Sequence, residues 1–284
     1  MVSTSNDAPV IAFIGAGNMA EAVLGGLYSN GHPESNLRFS ELVDERRNYM
    51  SEKYPNVFNS ASNDQVVQGA DIVIFAVKPQ VLQTVVKGLA STLHKNPSAL
   101  LISIAAGIET TDILKWLGAK DYEPCLIRIM PNTPALIGEG ATGLFATSVV
   151  TPHQKELTER LFGSVCKVLS WVDSESKIDA VTGVSGSGPA YFFLMMEAIA
   201  NAGVEAGLSL EDAKALTLQT CLGAARMAQE SEDDLTTLRK KVTSPNGTTE
   251  AAIKSMQGAN IENILRDAVI AATNRSKELA TQFR

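Results

Sequence analysis

The sequence predicts an α/β chain in two parts, a Rossmann-type doubly wound parallel sheet over residues 1–171 followed by an all-helical domain over residues 172–284. Three observations predict it. Short runs rich in Val and Ile alternate with amphipathic segments through the first part, the rhythm of buried parallel strands joined by crossover helices. Strand signals stop at about Trp171, and helix-length segments follow one another to the end. Finally, a glycine-rich turn stands between the first apolar run and the first helical pattern, where a doubly wound sheet places its anion-binding turn.

Taken in order, the strand runs are VIAFI (10–14), LRFS (37–40), DIVIFAV (71–77), ALLISIA (99–105) and CLIRIM (125–130), with helical patterns such as PQVLQTVVKGL between them. The second part reads as helices over 188–207, 209–230 and 260–283, with Gly203, Gly207 and Gly258 near breaks. There is no fixed-period repeat, low-complexity tract or long linker.

The bulk properties exclude several classes of function. At 284 residues, with 45% hydrophobic and 19% charged residues, the chain can bury a sizeable core. A net charge of −7, a pI near 5.1 and no Lys/Arg cluster argue against nucleic acid. Cys125, Cys166 and Cys221, like His32, His94 and His153, are scattered without a metal-binding rhythm, a disulfide framework or a His-centred nucleophile system, so no metal is expected. The histidines are expected at the surface. The N-terminal MVSTSNDAPV lacks the basic region and apolar core of a signal peptide, and no stretch approaches the ~20 apolar residues of a membrane span. A cytoplasmic location with no membrane partner is expected.

Within IAFIGAGNMAEAV, Gly15, Gly17 and Ala20 form G-x-G-x-x-A directly after a strand and at the mouth of a helix, the context that makes the pattern a Rossmann-type dinucleotide fingerprint. Gly15 permits the tight turn, Gly17 the close approach of a pyrophosphate, and Ala20 close packing, while the amides of the following helix face the anion. Ala16, Asn18 and Met19 belong to the same turn. The second run ends in FSELVDERR. Ser40, Arg46 and Arg47 suit the 2′-phosphate of NADP, whereas Glu41 repels it and suits the ribose hydroxyls of NAD. Both cofactors are expected to work, with Glu41 narrowing the gap between them; a solvated helix start is the alternative reading of this run.

In the order AVKPQ (76–80), SIAAGI (103–108), RIMPNTP (128–134), DAVTGVSGSGPAY (179–191) and VTSPNGTTEAAI (242–253), the chain closely resembles the pyrroline-5-carboxylate reductases, nearly end to end. The last string is the most specific. The resemblance implies reduction of the cyclic imine pyrroline-5-carboxylate to proline by NADPH or NADH, on a Rossmann-type domain followed by a helical domain through which subunits dimerise. It leaves open a larger assembly of such dimers.

Roles for individual residues follow from the resemblance. Ala76, Val77, Lys78 and Pro79 lie along the cofactor; a lysine at the positive end of a helix dipole is misplaced unless an anion is near, although an ordinary exposed lysine is the alternative. Ala105 and Ala106 let the nicotinamide lie flat, or are simply small for packing. Asn63 corresponds to an asparagine near the adenosine ribose, or is an N-cap. Thr248 and Thr249 receive the substrate carboxylate and ring nitrogen, where simple threonine capping is the alternative. Glu175 and Glu232 match family acids near the site, Glu175 as a substrate contact. Lys241 stands where animal relatives carry asparagine near the cofactor. The implied chemistry is direct hydride transfer to a protonated imine, with the catalytic hydrogen bond to nitrogen assigned to Thr249 as an orienting group.

A second glycine-rich stretch, GVSGSGPAYFFLMM (183–196), follows no strand and carries no phosphate-loop lysine. It reads as the compact start of a long buried helix with Pro189 in its first turn, whose FFLMMEAI stripe forms core or subunit interface. The lack of a lysine on that helix counts against a related 3-hydroxy-acid dehydrogenase, and the intact TSPNGTTEAAI counts against a non-catalytic nucleotide sensor.

Overall fold

The computed structural model describes residues 8–282, so the N-terminal stretch through Asp7 and the last residue of the final expected helix lie outside the described residues. The elements run β1 (Ile11–Ile14), α1 (Asn18–Ser29), β2 (Leu37–Ser40), α2 (Asp44–Lys53), β3 (Phe58–Ser60), α3 (Asn63–Val67), β4 (Ile72–Phe75), α4 (Pro79–Leu93), β5 (Leu100–Ser103), α5 (Thr110–Leu117), β6 (Leu126–Met130), β7 (Gly140–Ala146), α6 (Pro152–Phe162), β8 (Cys166–Trp171), α7 (Lys177–Val181), α8 (Gly188–Glu205), α9 (Leu210–Glu230), α10 (Leu235–Lys241), α11 (Thr248–Gly258) and α12 (Ile261–Gln282).

All eight strands form one sheet in the order β3-β2-β1-β4-β5-β6-β7-β8, parallel except for the antiparallel pair β6 and β7. The first six positions are the doubly wound order in which ligands bind at the carboxyl ends of β1 and β4, where the strand order reverses. Period-two alternation sends successive side chains to opposite faces. Ile11, Phe13, Ile72, Ile74 and Ile102 enter one core beneath α1, and Ala12, Ile14, Val73, Phe75 and Leu101 enter the other beneath α4. With both faces covered, β1 and β4 read as continuous apolar runs and are wholly buried.

The five expected strands are present, and three more join them. β3, with sequence FNS, leaves Phe58 47% exposed at the sheet edge; β7, GATGLFA, is rich in small residues; β8 is the opposite edge, with Val168 half exposed. Of the histidines, His153 and His94 are exposed, but His32 is half-buried and bonds the Pro9 carbonyl at 2.9 Å. Burial pushes its pKa down.

The described chain forms two compact units, 8–187 with 271–282, and 188–270. The first therefore reaches beyond the expected limit at residue 171. Hydrogen bonds explain the extension: Asn132 Nδ2 donates to the Ser185 carbonyl at 3.1 Å, and Ser276 Oγ donates to Asp179 at 2.7 Å, so α7, the wide helical turn Thr182–Gly186 and the end of α12 all stay with the sheet. In the second unit α8 and α9 pack as a helical hairpin, turned at Gly207 with φ +104°. Gly203 is no break: it lies inside α8, where an added Cβ would sit 3.1 Å from Ala213 Cβ of α9. Nor is α8 buried within the single chain, since Phe192, Phe193 and Leu194 are all more than half exposed.

Candidate active site

The glycine turn after β1 is fixed from both sides. Gly15 has φ +92°, a conformation that L side chains rarely adopt. A Cβ there would also lie 2.9 Å from Val77 Cγ1 and 3.0 Å from the Ala76 carbonyl oxygen. Its N–H donates to the Ser40 carbonyl at 3.0 Å, and the Ala76 N–H donates to the Ile14 carbonyl at 2.8 Å. The turns after β1, β2 and β4 are thereby laced together at one edge of the sheet. Gly17 differs: an added Cβ there would meet nothing within 4 Å. Gly17 is also the N-cap of α1 and brings no side-chain acceptor to its first turn, so the amides of Asn18 and Met19 face an open approach. Ala20 is buried, as close packing of α1 on the sheet demands. These features fit a dinucleotide pyrophosphate.

Beyond β4, Lys78 is exposed as the N-cap of α4, Pro79 occupies the first helical position, and the first turn holds no acid. After β5, Ala105 is buried, Ala106 is half-buried, and Gly107, with φ +73°, is pressed against Leu279 of α12, whose Cβ would lie 2.9 Å from an added Cβ. The cofactor-side residues expected at 15–19, 76–79 and 105–106 thus converge at the carboxyl ends of β1, β4 and β5.

Two cofactor-side expectations change. Ser40 is buried, and its hydroxyl donates back to the Phe13 carbonyl at 3.4 Å; facing inward from β2, the hydroxyl is engaged within the sheet, and the residue contributes its backbone carbonyl to Gly15. Asn63 is the first residue of α3 and Ser62 is the cap, so the N-cap alternative for Asn63 does not hold.

Glu175 is engaged differently from the substrate contact expected of it. Its Oε1 accepts the Thr110 N–H at 2.7 Å and Arg128 Nη1 at 3.0 Å, and its Oε2 accepts the Thr110 hydroxyl at 2.6 Å. Arg128 is 3% exposed. The carboxylate joins the start of α5 to β6, because a buried guanidinium requires a paired anion. Asn132 also escaped sequence reasoning: its Oδ1 accepts the Ala141 N–H at 3.0 Å while its Nδ2 holds Ser185. Its place beside two prolines in RIMPNTP was the available signal.

In the second unit, Thr248 and Thr249 open α11. The cap is Gly247, and no side chain caps the helix, so the threonine-capping alternative does not hold. Asn246 takes a left-handed φ of +57°, and its N–H donates to Glu250 Oε2 at 2.9 Å. That bond and Lys254 hold the Glu250 carboxyl below the usual carboxylate range. Glu232 is exposed, and Lys241 is paired with Asp233.

A glycine turn at the strand-order reversal defines a dinucleotide-binding sheet, and it is followed by a helical unit in which a threonine pair opens α11. Residues 10–107 match the family model described as NADP oxidoreductase, coenzyme F420-dependent, and residues 175–279 match pyrroline-5-carboxylate reductase dimerisation. The pyrroline-5-carboxylate reductase of Pseudomonas aeruginosa is 48% identical over 275 residues, covering 97% of this chain and 98% of that one. The chain belongs to the pyrroline-5-carboxylate reductase family. Among solved structures, a pyrroline-5-carboxylate reductase from Coxiella burnetii superposes with a TM-score of 0.89 at 41% identity, covering 96% of this chain and 99% of that one. Pyrroline carboxylate reductase from Plasmodium falciparum, with NADP bound, superposes with a TM-score of 0.84 at 28% identity, covering 96% and 98%.

Proposed function

We propose that this chain reduces the imine of 1-pyrroline-5-carboxylate to L-proline with NADH or NADPH, closing proline biosynthesis. The observation that carries this is the near end-to-end match to the Pseudomonas reductase. The nicotinamide, when bound, supplies the hydride. Ala105 and Ala106 shape a small-residue floor for its ring, and the Asn18 and Met19 amides with Lys78 receive the pyrophosphate charge. The turn at 245–247 leads into the substrate receptor at the start of α11: the Thr248 and Thr249 amides and the Thr248 hydroxyl take the carboxylate, while Thr249 hydrogen-bonds the ring nitrogen. A protonated imine accepts hydride far better than a neutral one, so Thr249 acts by orienting the iminium and keeping it hydrogen-bonded. Glu175 is assigned to positioning: through Thr110 and Arg128 it fixes the start of α5, which follows the alanine floor.

The protein works in this reading as a cytoplasmic homodimer joined through the helical unit. No helix among the described residues is long and apolar enough to cross a membrane, and three widely spaced cysteines, an odd number without a disulfide framework, suit a reducing compartment. Oxidation of NADH and NADPH, followed with pyrroline-5-carboxylate, with the oxo form of a 3-hydroxy acid and with no substrate, tests the function. Turnover confined to the imine is expected; turnover with the oxo acid instead would replace the assignment.

A further inference from the structure

The side chain of Glu41, the residue after β2, turns back onto the glycine turn. Its Oε2 accepts the Ala16 N–H at 3.1 Å and its Oε1 accepts the Val43 N–H at 3.0 Å. Its own N–H donates to the Ser60 carbonyl, and its carbonyl accepts from Arg47 Nη1 at 2.8 Å. The carboxylate is thus held at both oxygens, at the end of the strand that flanks the dinucleotide turn. The cations nearby are committed elsewhere. Arg46 donates through Nε to the Ala16 carbonyl at 2.6 Å and through Nη2 to Glu21 at 2.5 Å, and lies over the Tyr49 ring. Arg47 pairs with Asp44. Glu21 in turn also binds Lys53 at 2.7 Å and the Tyr49 hydroxyl at 3.1 Å, so releasing Arg46 breaks into a network. Ser40, as shown, faces inward.

We infer that Glu41 makes this chain prefer NADH over NADPH. The inference rests on the dinucleotide reading of the glycine turn and adds the choice of nucleotide. A carboxylate offers about four lone-pair positions; two are taken by the backbone amides, and the others are free to accept the two hydroxyls of an NADH ribose. A 2′-phosphate brings roughly −1.5 to −2 charge and acceptor oxygens against an anion held in place by two backbone N–H groups, and the guanidiniums of Arg46 and Arg47 beside it are already engaged.

The test is equilibrium binding of NADH and of NADPH to the full chain without imine, by calorimetry, for the native protein, Glu41→Ser and Glu41→Gln. Gln keeps the size and one acceptor, and so remains informative if the Ser variant folds poorly. The native protein should bind NADH about tenfold or more tighter, and either folded variant should narrow that ratio roughly tenfold, the scale of one charge-assisted contact, chiefly through tighter NADPH. Native binding of NADPH as tight as or tighter than NADH, or a ratio unchanged in Glu41→Gln, would overturn the inference while leaving the dinucleotide site standing. Failure of both nucleotides to bind would overturn the dinucleotide reading and this inference with it.

Discussion

At the scale of single residues, the threonine pair illustrates how a side chain becomes available for chemistry. Helix α11 leaves its first amides uncapped by side chains, and a helix start of this kind attracts a carboxylate. Removing the proposed bond to the imine nitrogen in Thr249→Ala should lower kcat/KM about ten- to a hundredfold, the cost of a hydrogen bond to a charged group, whereas Thr249→Ser should retain most activity; steady-state kinetics with the imine decides, and an unaffected Ala variant would remove Thr249 from the mechanism. Glu250 supplies a second test. Its pKa is lowered by the Asn246 N–H and by Lys254, so its support of the turn is complete above its ordinary value of 4.5 and fades only as pH falls through the lower folded value. An NMR titration of the Asn246 amide should have its midpoint below pH 4.5. A midpoint at or above that value would show that the bond does not favour the ionised form.

At the scale of elements, the turns matter more than the strands they join. Gly15 is pressed against Val77 and Ala76, and Gly107 against Leu279, so the cofactor-side turns are set by close approach at positions without a side chain. The Arg128–Glu175 pair does comparable work through side chains, tying α5 to β6. Arg128→Met should destabilise the fold by about 3–5 kcal/mol, because it strands a largely buried carboxylate, while Arg128→Met with Glu175→Gln should recover a large part of the loss. Urea unfolding of the three proteins measures it, and additive losses would mean that the two groups do not act as a pair. Much of this scale was legible: β1 and β4 carry uninterrupted apolar runs because both their faces are covered. β3 and β8 were not, since an edge strand has less to bury, and in β7 small residues leave no apolar run to recognise.

At the scale of the whole molecule, the helical unit exposes an apolar surface that a lone chain has no reason to keep. An open groove of about 400 Å³ between α8 and α9 is lined by Phe192, Met195, Met196, Ile199, Leu216 and their neighbours, and Phe193 and Leu218 line a second groove of about 280 Å³. Exposed apolar surface that is continuous along two helices marks an association site, and the match to a dimerisation family over 175–279 names its kind. Sedimentation at sub-micromolar concentration should show a homodimer, and Leu218→Glu, which places a charge in the groove, should shift it toward monomer with loss of activity. A native monomer that is stable and active would defeat this.

The sequence alone determined the fold class, the glycine turn, the helical second part and the family, because apolar periodicity and short backbone-demanding motifs are local properties of the chain. Only the tertiary structure decided what each polar group does with its bonds. Ser40 turns inward to Phe13, Glu41 turns back to Ala16, and Glu175 closes on Thr110 and Arg128. Each of those partners is distant in sequence, and burial obliges a polar group to take the partner that folding brings within reach.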